Sequence, residues 1–361
     1  MSPIAGTELG ALTERLDKWF ENWVPAKEAG ARLETVTRAA SGWSSDTLVV
    51  AMSASVDLGS GRASASELVV RIAPAPEAAS FPEVDLAAQA AVMEAVRRSG
   101  LPAPTVVCIE EDARWVGSPF LVMVRVAGRT VGDAPSLDPW LMALPGEDQR
   151  RVHEAFVDAL AGLHRIDWRA AGLARSLRDS GGDMVTETKW WTDYVDWASD
   201  GSPTPSLAAH ARWCVQSAPE MRRDRSLCWG DARLGNVMLD DGASTTALLD
   251  WELATIGPPE MDFAWYLALE RLTTRVTGTS VPGFMDREET IARYERRLGR
   301  RLEELDWHEI FALVRSAAIN DRQARLAASA GVDYPGVFGE DNPLLAHIGR
   351  RIARFKGERS R

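Results

Sequence analysis

Trp229-Gly230-Asp231-Ala232-Arg233-Leu234-Gly235-Asn236-Val237-Met238-Leu239, followed by Asp240-Asp241-Gly242 and then Leu248-Leu249-Asp250-Trp251-Glu252, is the densest polar stretch of the chain. An acid, Asp231, and an amide, Asn236, stand five positions apart on a loop that enters the apolar run Val237–Leu239. Asp240–Gly242 carries turn chemistry, and a second apolar run leads to Asp250. A hairpin of this size brings Asn236 and Asp250 together at one edge. An amide oxygen and a carboxylate are hard ligands that suit Mg²⁺, which completes its shell with waters and phosphates. Asp231 is then left to face a substrate hydroxyl. Taken singly, a Gly-Asp pair is a turn and a strand-end Asp is a cap. Three elements in this order, with apolar strands between them, favour the chemical reading.

Outward from this segment the chain changes character. Between about Glu34 and Val126 it runs in short β-rich stretches: Glu34–Ala39, Thr47–Ser53, Glu67–Ala73, Thr105–Ile109 and Phe120–Val126. Gly59-Ser60-Gly61 reads as a hairpin connection, and Leu86–Ser99 is helical, closed by Gly100 and Pro102. Three strands, a helix and two strands predict a small antiparallel sheet with one helix leaned on it. Before them, Leu9, Leu12, Leu16, Trp19, Phe20 and Trp23 recur at helical spacing. After Gly128 helices dominate: Glu147–Ile166, Glu260–Leu272, Arg287–Leu298, Trp307–Ala330 and Asn342–Phe355. Asp286 with Glu289, and Asp306 with Glu309, read as capping boxes. A β-like insert comprises Leu227–Trp229, Val237–Leu239 and Ala247–Trp251. The expected class is α+β, with an N-terminal helix over 1–30 packing on the body, a β-rich lobe over 31–127 and a mostly helical lobe over 128–361.

Composition excludes several functions. With 361 residues, 45% hydrophobic and 26% charged, the chain has enough apolar material for a real core, against wholesale disorder. A formal net charge of −11 repels nucleic-acid phosphates and anionic membrane surfaces, so neither is an expected partner. No run of about 18 apolar residues predicts a membrane span, and Met1–Gly10 lacks the basic-then-apolar order of a secretory leader. Three cysteines without a Cys-x-x-Cys pair fit a reduced, cytoplasmic setting. No Gly-x-Ser-x-Gly elbow or P-loop occurs, which excludes the α/β-hydrolase and Walker readings. His153, His210, His308 and His347 show no metal-ligand spacing. Trp190, Trp191, Tyr194 and Trp197 cluster at helical spacing, as an acceptor lining or as core.

The Gly-Asp-x-x-x-x-Asn run followed by Leu-Asp-Trp-Glu resembles the aminoglycoside phosphotransferase and choline-kinase-like family, small-molecule kinases with a protein-kinase-like fold. The resemblance covers most of the chain from about Thr35, and Leu249–Asp262, with Glu252, Gly257 and Pro258, is similar to phosphotransferase domains fused to acyl-CoA dehydrogenases. It implies a two-lobed architecture in which the β lobe holds ATP or GTP and the helical lobe carries the catalytic loop, the metal site and the acceptor site. Asp231 takes the catalytic position, and Asn236 with Asp250 the Mg²⁺ positions. Asp262 matches an Asp that braces the catalytic loop, and His164 a structural His. Ser44, Ser45 and Thr47 fall in the phosphate-covering loop, and the backbone of Val124 and Val126 on the adenine edge. Arg71 stands where the family's phosphate-clamping Lys belongs and Gln89 where its Glu partner belongs; Trp229 replaces a His that often precedes the Gly-Asp pair. The expected partners are a nucleoside triphosphate and a small hydroxyl acceptor. Two alternatives stand beside this: a catalytically silent nucleotide-binding module, favoured by Arg71 and Gln89, and a kinase for hydroxyacyl compounds rather than aminoglycosides. The segments that would shape the acceptor, between about Asp179 and Glu220 and after Leu272, carry no motif, and nothing in the sequence speaks to oligomeric state.

Overall fold

In the computed structural model, which describes residues 8–39, 45–58, 64–179, 184–220, 225–334 and 338–359, the chain divides into two units. One gathers Met1–Ala90, Pro104–Arg125 and Arg322–Pro335; the other gathers Ala91–Ala103, Val126–Asp321 and Gly336–Arg361. In chain order the first elements are α1 (Leu9–Asn22), α2 (Val24–Ala29), β1 (Leu33–Arg38), β2 (Asp46–Val56), β3 (Ala65–Ile72), α3 (Leu86–Arg98), β4 (Val106–Glu110) and β5 (Phe120–Val124). The strands form one antiparallel sheet in the order β1-β2-β3-β5-β4.

Alternation along β2 and β3 explains this sheet. Leu48, Val50 and Met52 on β2, with Leu68 and Val70 opposite on β3, turn one face to a core. Leu12, Leu16, Trp19 and Phe20 of α1 fill the same core, each buried side chain contributing about 1.5–3 kcal/mol. Trp19 meets Phe120 edge-on at 5.0 Å and donates its indole N–H to Glu110 at 2.9 Å, so its one polar atom is satisfied. Gly59-Ser60-Gly61 lies outside the described residues.

The second unit contains α4 (Pro139–Ala143), α5 (Gly146–Leu163), α6 (Met184–Ala198), α7 (Pro205–Gln216), β6 (Ser226–Cys228), β7 (Val237–Leu239), β8 (Thr245–Leu248), β9 (Thr255–Gly257), α8 (Glu260–Thr277), α9 (Arg287–Leu298) and α11 (Pro343–Arg359), with most of α10 (Leu305–Ser329). β7 pairs with β8 and β6 with β9, both antiparallel. Four sequence readings are corrected here. The third β-like run ends at Leu248, not Trp251, because Asp250 adopts φ +61°, which no strand accommodates. β9, only three residues long, is a strand that the sequence pattern does not announce; its partner is β6, not its chain neighbour β8. α8 runs on to Thr277, closed by Gly278 at φ +72°. The capping box Asp286–Glu289 is present in both its bonds, whereas Asp306 lies inside the first turn of α10 and the Glu309 side chain is wholly buried, engaged by Arg271, Arg287 and Arg351. Three guanidiniums outcompete a cap. Among the described residues, no helix is long and apolar enough to cross a membrane.

Candidate active site

β6 delivers the chain into the loop that carries Asp231. Leu227, Cys228 and Trp229 are fully buried, and Gly230 then turns at φ +87°. A Cβ at Gly230 would lie 2.2 Å from the Leu253 carbonyl oxygen, so both the dihedral and the close approach demand glycine. Asp231 emerges with its carboxylate held by three donors. Arg233 Nε (2.9 Å) and Asn236 Nδ2 (2.8 Å) donate to Oδ2, and Trp265 Nε1 donates to Oδ1 at 2.9 Å. Asn236 Nδ2 also donates to the Asp231 carbonyl at 3.0 Å, which orients the amide and leaves Oδ1 as the atom able to ligate a cation.

The far edge of the hairpin is tied to the same loop. Val237 pairs with Leu248, and the Leu249 N–H donates to the Asn236 carbonyl at 2.9 Å, so the chain carrying Asp250 runs directly beside Asn236. Asp is among the few side chains that tolerate the left-handed conformation of position 250. Trp229 and Trp251 stack at 5.3 Å, and the Trp229 indole donates to the Leu249 carbonyl at 2.8 Å. The tryptophan that replaces the expected histidine thus staples the Asp231 loop to the Asp250 turn. Arg233 also bonds Asp133; burial disfavours its charge, but the carboxylates of Asp231, Asp133 and Asp250 outweigh that and push its pKa further up.

Beneath the loop, Asp262 at the start of α8 is fully buried. It accepts the backbone N–H groups of Trp229 (2.5 Å) and Gly230 (2.9 Å) and His164 Nε2 at 3.0 Å. His164 Nδ1 then accepts the Tyr294 hydroxyl at 2.5 Å. His164, Cys228 and Asp262 have ligand atoms within 4.8 Å of one another. Both ring nitrogens of His164 and the Asp262 oxygens are already engaged, so the trio is a brace rather than a cation site.

An amide oxygen beside a carboxylate-bearing turn, with the amide nitrogen already engaged, fits a Mg²⁺ ion. In the first unit Thr47 on β2 pairs with Arg71 on β3, Ser45 Oγ lies 3.3 Å from Thr47 Oγ1, and Gln89 on α3 is 4% exposed. Ser44 lies outside the described residues. The Val124 N–H donates to the Thr105 carbonyl at 2.8 Å, and Val126 is half-buried. Sequence reasoning missed Arg233 and Trp265, which hold Asp231, and Arg315, whose Nη2 donates to the Gly230 carbonyl. Arg233 stands inside the motif and its charge two positions from Asp231 was a usable signal. Trp265 and Arg315 reach the loop only through folding.

Residues 35–308 match the phosphotransferase enzyme family. The chain is 30% identical over 175 residues to mouse (Mus musculus) acyl-CoA dehydrogenase family member 10, covering 48% of this chain and 16% of that protein. It is also 30% identical over 177 residues to chicken (Gallus gallus) acyl-CoA dehydrogenase family member 11, covering 48% of this chain and 22% of that protein. The matches thus span less than a quarter of those relatives. Among solved structures, a putative aminoglycoside phosphotransferase from Ralstonia eutropha superposes with a TM-score of 0.66 at 22% identity, covering 94% of each chain. The GDP complex of aminoglycoside 2'-phosphotransferase-IIIa superposes with a TM-score of 0.55 at 15% identity, covering 98% of this chain and 100% of that one. These likenesses establish the two-lobed, kinase-like α+β fold, and the match over residues 35–308 places the chain in the phosphotransferase enzyme family.

Proposed function

We propose that the chain transfers the γ-phosphoryl group of ATP or GTP to a hydroxyl of a small molecule. The observation that carries this reading is the Asp231 carboxylate, fixed by Arg233, Asn236 and Trp265 beside the Asn236–Asp250 edge. Phosphoryl transfer through a loose transition state needs positioning and charge neutralisation more than covalent chemistry. Asp231 orients the acceptor hydroxyl and takes its proton as the phosphoryl group arrives. Asn236 Oδ1 and the Asp250 carboxylate hold Mg²⁺, which when bound supplies positive charge to the phosphate oxygens. Arg233, always protonated, offsets the charge that gathers around Asp231.

In the β-rich lobe over 31–127, Ser44, Ser45 and Thr47 cover the phosphates and Arg71 clamps them. A guanidinium keeps its charge without a carboxylate neighbour, so neutral Gln89 serves to orient it. Because the Val124 N–H is already engaged, Val126 offers the backbone donor to the nucleotide base. The helical lobe over 128–361 binds the acceptor.

A panel of hydroxyl compounds, spanning aminoglycosides and hydroxyacyl compounds, tests the reading through stimulated release of ADP or GDP in the presence of Mg²⁺. Turnover with one class is the expected result. Nucleotide binding without stimulated release by any acceptor would leave a silent binding module in its place.

A further inference from the structure

Arg315, on α10, is 2% exposed, yet its only hydrogen bond among the described residues runs from Nη2 to the Gly230 carbonyl at 2.7 Å. Its Nε and Nη1 have no partner, and no carboxylate of the described residues forms an ion pair with it. Its flat faces are covered by Trp191 at 4.7 Å and Trp265 at 4.6 Å. A second guanidinium stands in the same cluster. Arg178 stacks over Trp190 at 3.9 Å and donates to Glu187 Oε1 at 3.0 Å, while its own buried Nε and Nη1 are unpartnered. Glu187, 1% exposed, takes the Trp191 indole N–H at 3.1 Å on the same oxygen, and its buried Oε2 has no partner.

The carboxylates nearest Arg315 make their hydrogen bonds and ion pairs elsewhere. Arg178 cancels Glu187, Arg233 pairs with Asp231, and the Asp262 oxygens are taken by Trp229 N, Gly230 N and His164. Arg315 thus has the Asp262 charge near it, yet most of its own buried N–H donors stay unused. Such a group is strongly unfavourable unless something complements it. Burial holds the Arg315 pKa below its ordinary value, with the nearby Arg178 charge adding to the effect and Glu187 and Asp262 opposing it.

We infer that Arg315 and Arg178 form an oxyanion subsite beside the catalytic loop, for a small oxyanion that also carries a hydroxyl donor. The unused guanidinium N–H groups match oxyanion oxygens, and Glu187 Oε2 matches the O–H. A hydroxy acid and hydrogen phosphate both have this chemistry. Trp265 links the subsite to the reaction, because its ring covers Arg315 while its N–H holds Asp231. The oxyanion is therefore either the carboxylate of the acceptor or the phosphoryl group after transfer. Only this place in the reaction rests on the phosphotransferase reading; the binding itself rests on the cluster.

Calorimetric titration of the full chain without nucleotide, at constant ionic strength, separates these outcomes. The probes are lactate, inorganic phosphate and lactamide, which keeps the hydroxyl of lactate but lacks its charge. Saturable binding of lactate or phosphate is expected, with none of lactamide. Lactate alone identifies the acceptor carboxylate; phosphate alone identifies the transferred group. Arg178→Gln should weaken the oxyanion by about 10- to 150-fold, the loss of a charge-assisted hydrogen bond, and Arg315→Lys should weaken it comparably. Arg178 is partly exposed, so its variant stays informative if the Arg315 variant does not fold. Absence of oxyanion binding, as expected if water alone fills the cluster, would overturn the subsite. Equal binding of lactamide, or unweakened binding by the Arg178 variant, would overturn it too. Oxyanion binding without any acceptor-stimulated nucleotide hydrolysis would keep the subsite and remove the phosphotransferase reading.

Discussion

Removing the Asp262 carboxylate tests whether the Asp231 loop is held from beneath. In Asp262→Ala three donors lose their acceptor together: Trp229 N, Gly230 N and His164 Nε2. Asp262 and its histidine partner have no exposed side-chain surface, so solvent cannot replace the bonds in place. A buried donor left unsatisfied costs about 1–3 kcal/mol, which gives about 3–9 kcal/mol for the three. A water entering the vacated space moves the loss toward the lower end. Asp262→Asn is gentler. One amide oxygen still accepts, and His164 can change tautomer to accept from the new amide N–H, so about one bond is lost, worth about 1–3 kcal/mol. Urea denaturation followed by tryptophan fluorescence reads both variants, with the alanine form well below the asparagine form. Transfer activity should fall in the same order, because Gly230 N–H anchors the residue before Asp231. An alanine variant within about 1 kcal/mol of wild type would refute the brace.

Asp231→Asn should keep nucleotide affinity but lower the turnover number by about 10²-fold or more, measured by coupled ADP release. Asp250→Ala should abolish the Mg²⁺-dependent part of ATP binding, read by titrating Mg²⁺ against nucleotide affinity; an unchanged metal response would remove Asp250 as a ligand. Arg71→Ala should weaken ATP by about 10- to 150-fold while sparing adenosine, and Arg71→Lys with Gln89→Glu should recover more than either change alone; equal losses for the two ligands would make Arg71 a support of the sheet. Burial, reinforced by the Arg150 and Arg293 charges, lowers the His153 pKa from 6.5 to about 3. Between those values the unfolded chain binds the proton and the folded chain does not, so stability is full above pH 6.5 and falls as pH drops, by up to about 1.4 kcal/mol per unit. Denaturation across this range should show a flatter response in His153→Gln.

The segment from Asp231 to Asp250 was legible because it is local. Asp231, Asn236 and Asp250 lie within twenty positions on one loop and hairpin, where spacing and turn residues alone bring side chains together. The strand–strand–strand–helix–strand–strand order was legible for the same reason, since alternation and helical periodicity are properties of short windows. Buried polar partners are not. Trp265 reaches Asp231 across 34 positions, Asp262 reaches Gly230 across 32, and Arg315 reaches the Gly230 carbonyl across 85. Arg315 stands as a lone charge in the apolar run Ile310–Ile319, which predicts its burial but not the partners that meet it there. Glu309 had the spacing of a cap, yet folding surrounded it with three arginines from other helices. Propensity acts over a turn or a hairpin, whereas the satisfaction of a buried charge depends on which distant elements arrive beside it. The sequence alone therefore determined the loop that carries Asp231, Asn236 and Asp250, and only the tertiary structure decided what holds that loop and which buried donors beside it stay unused.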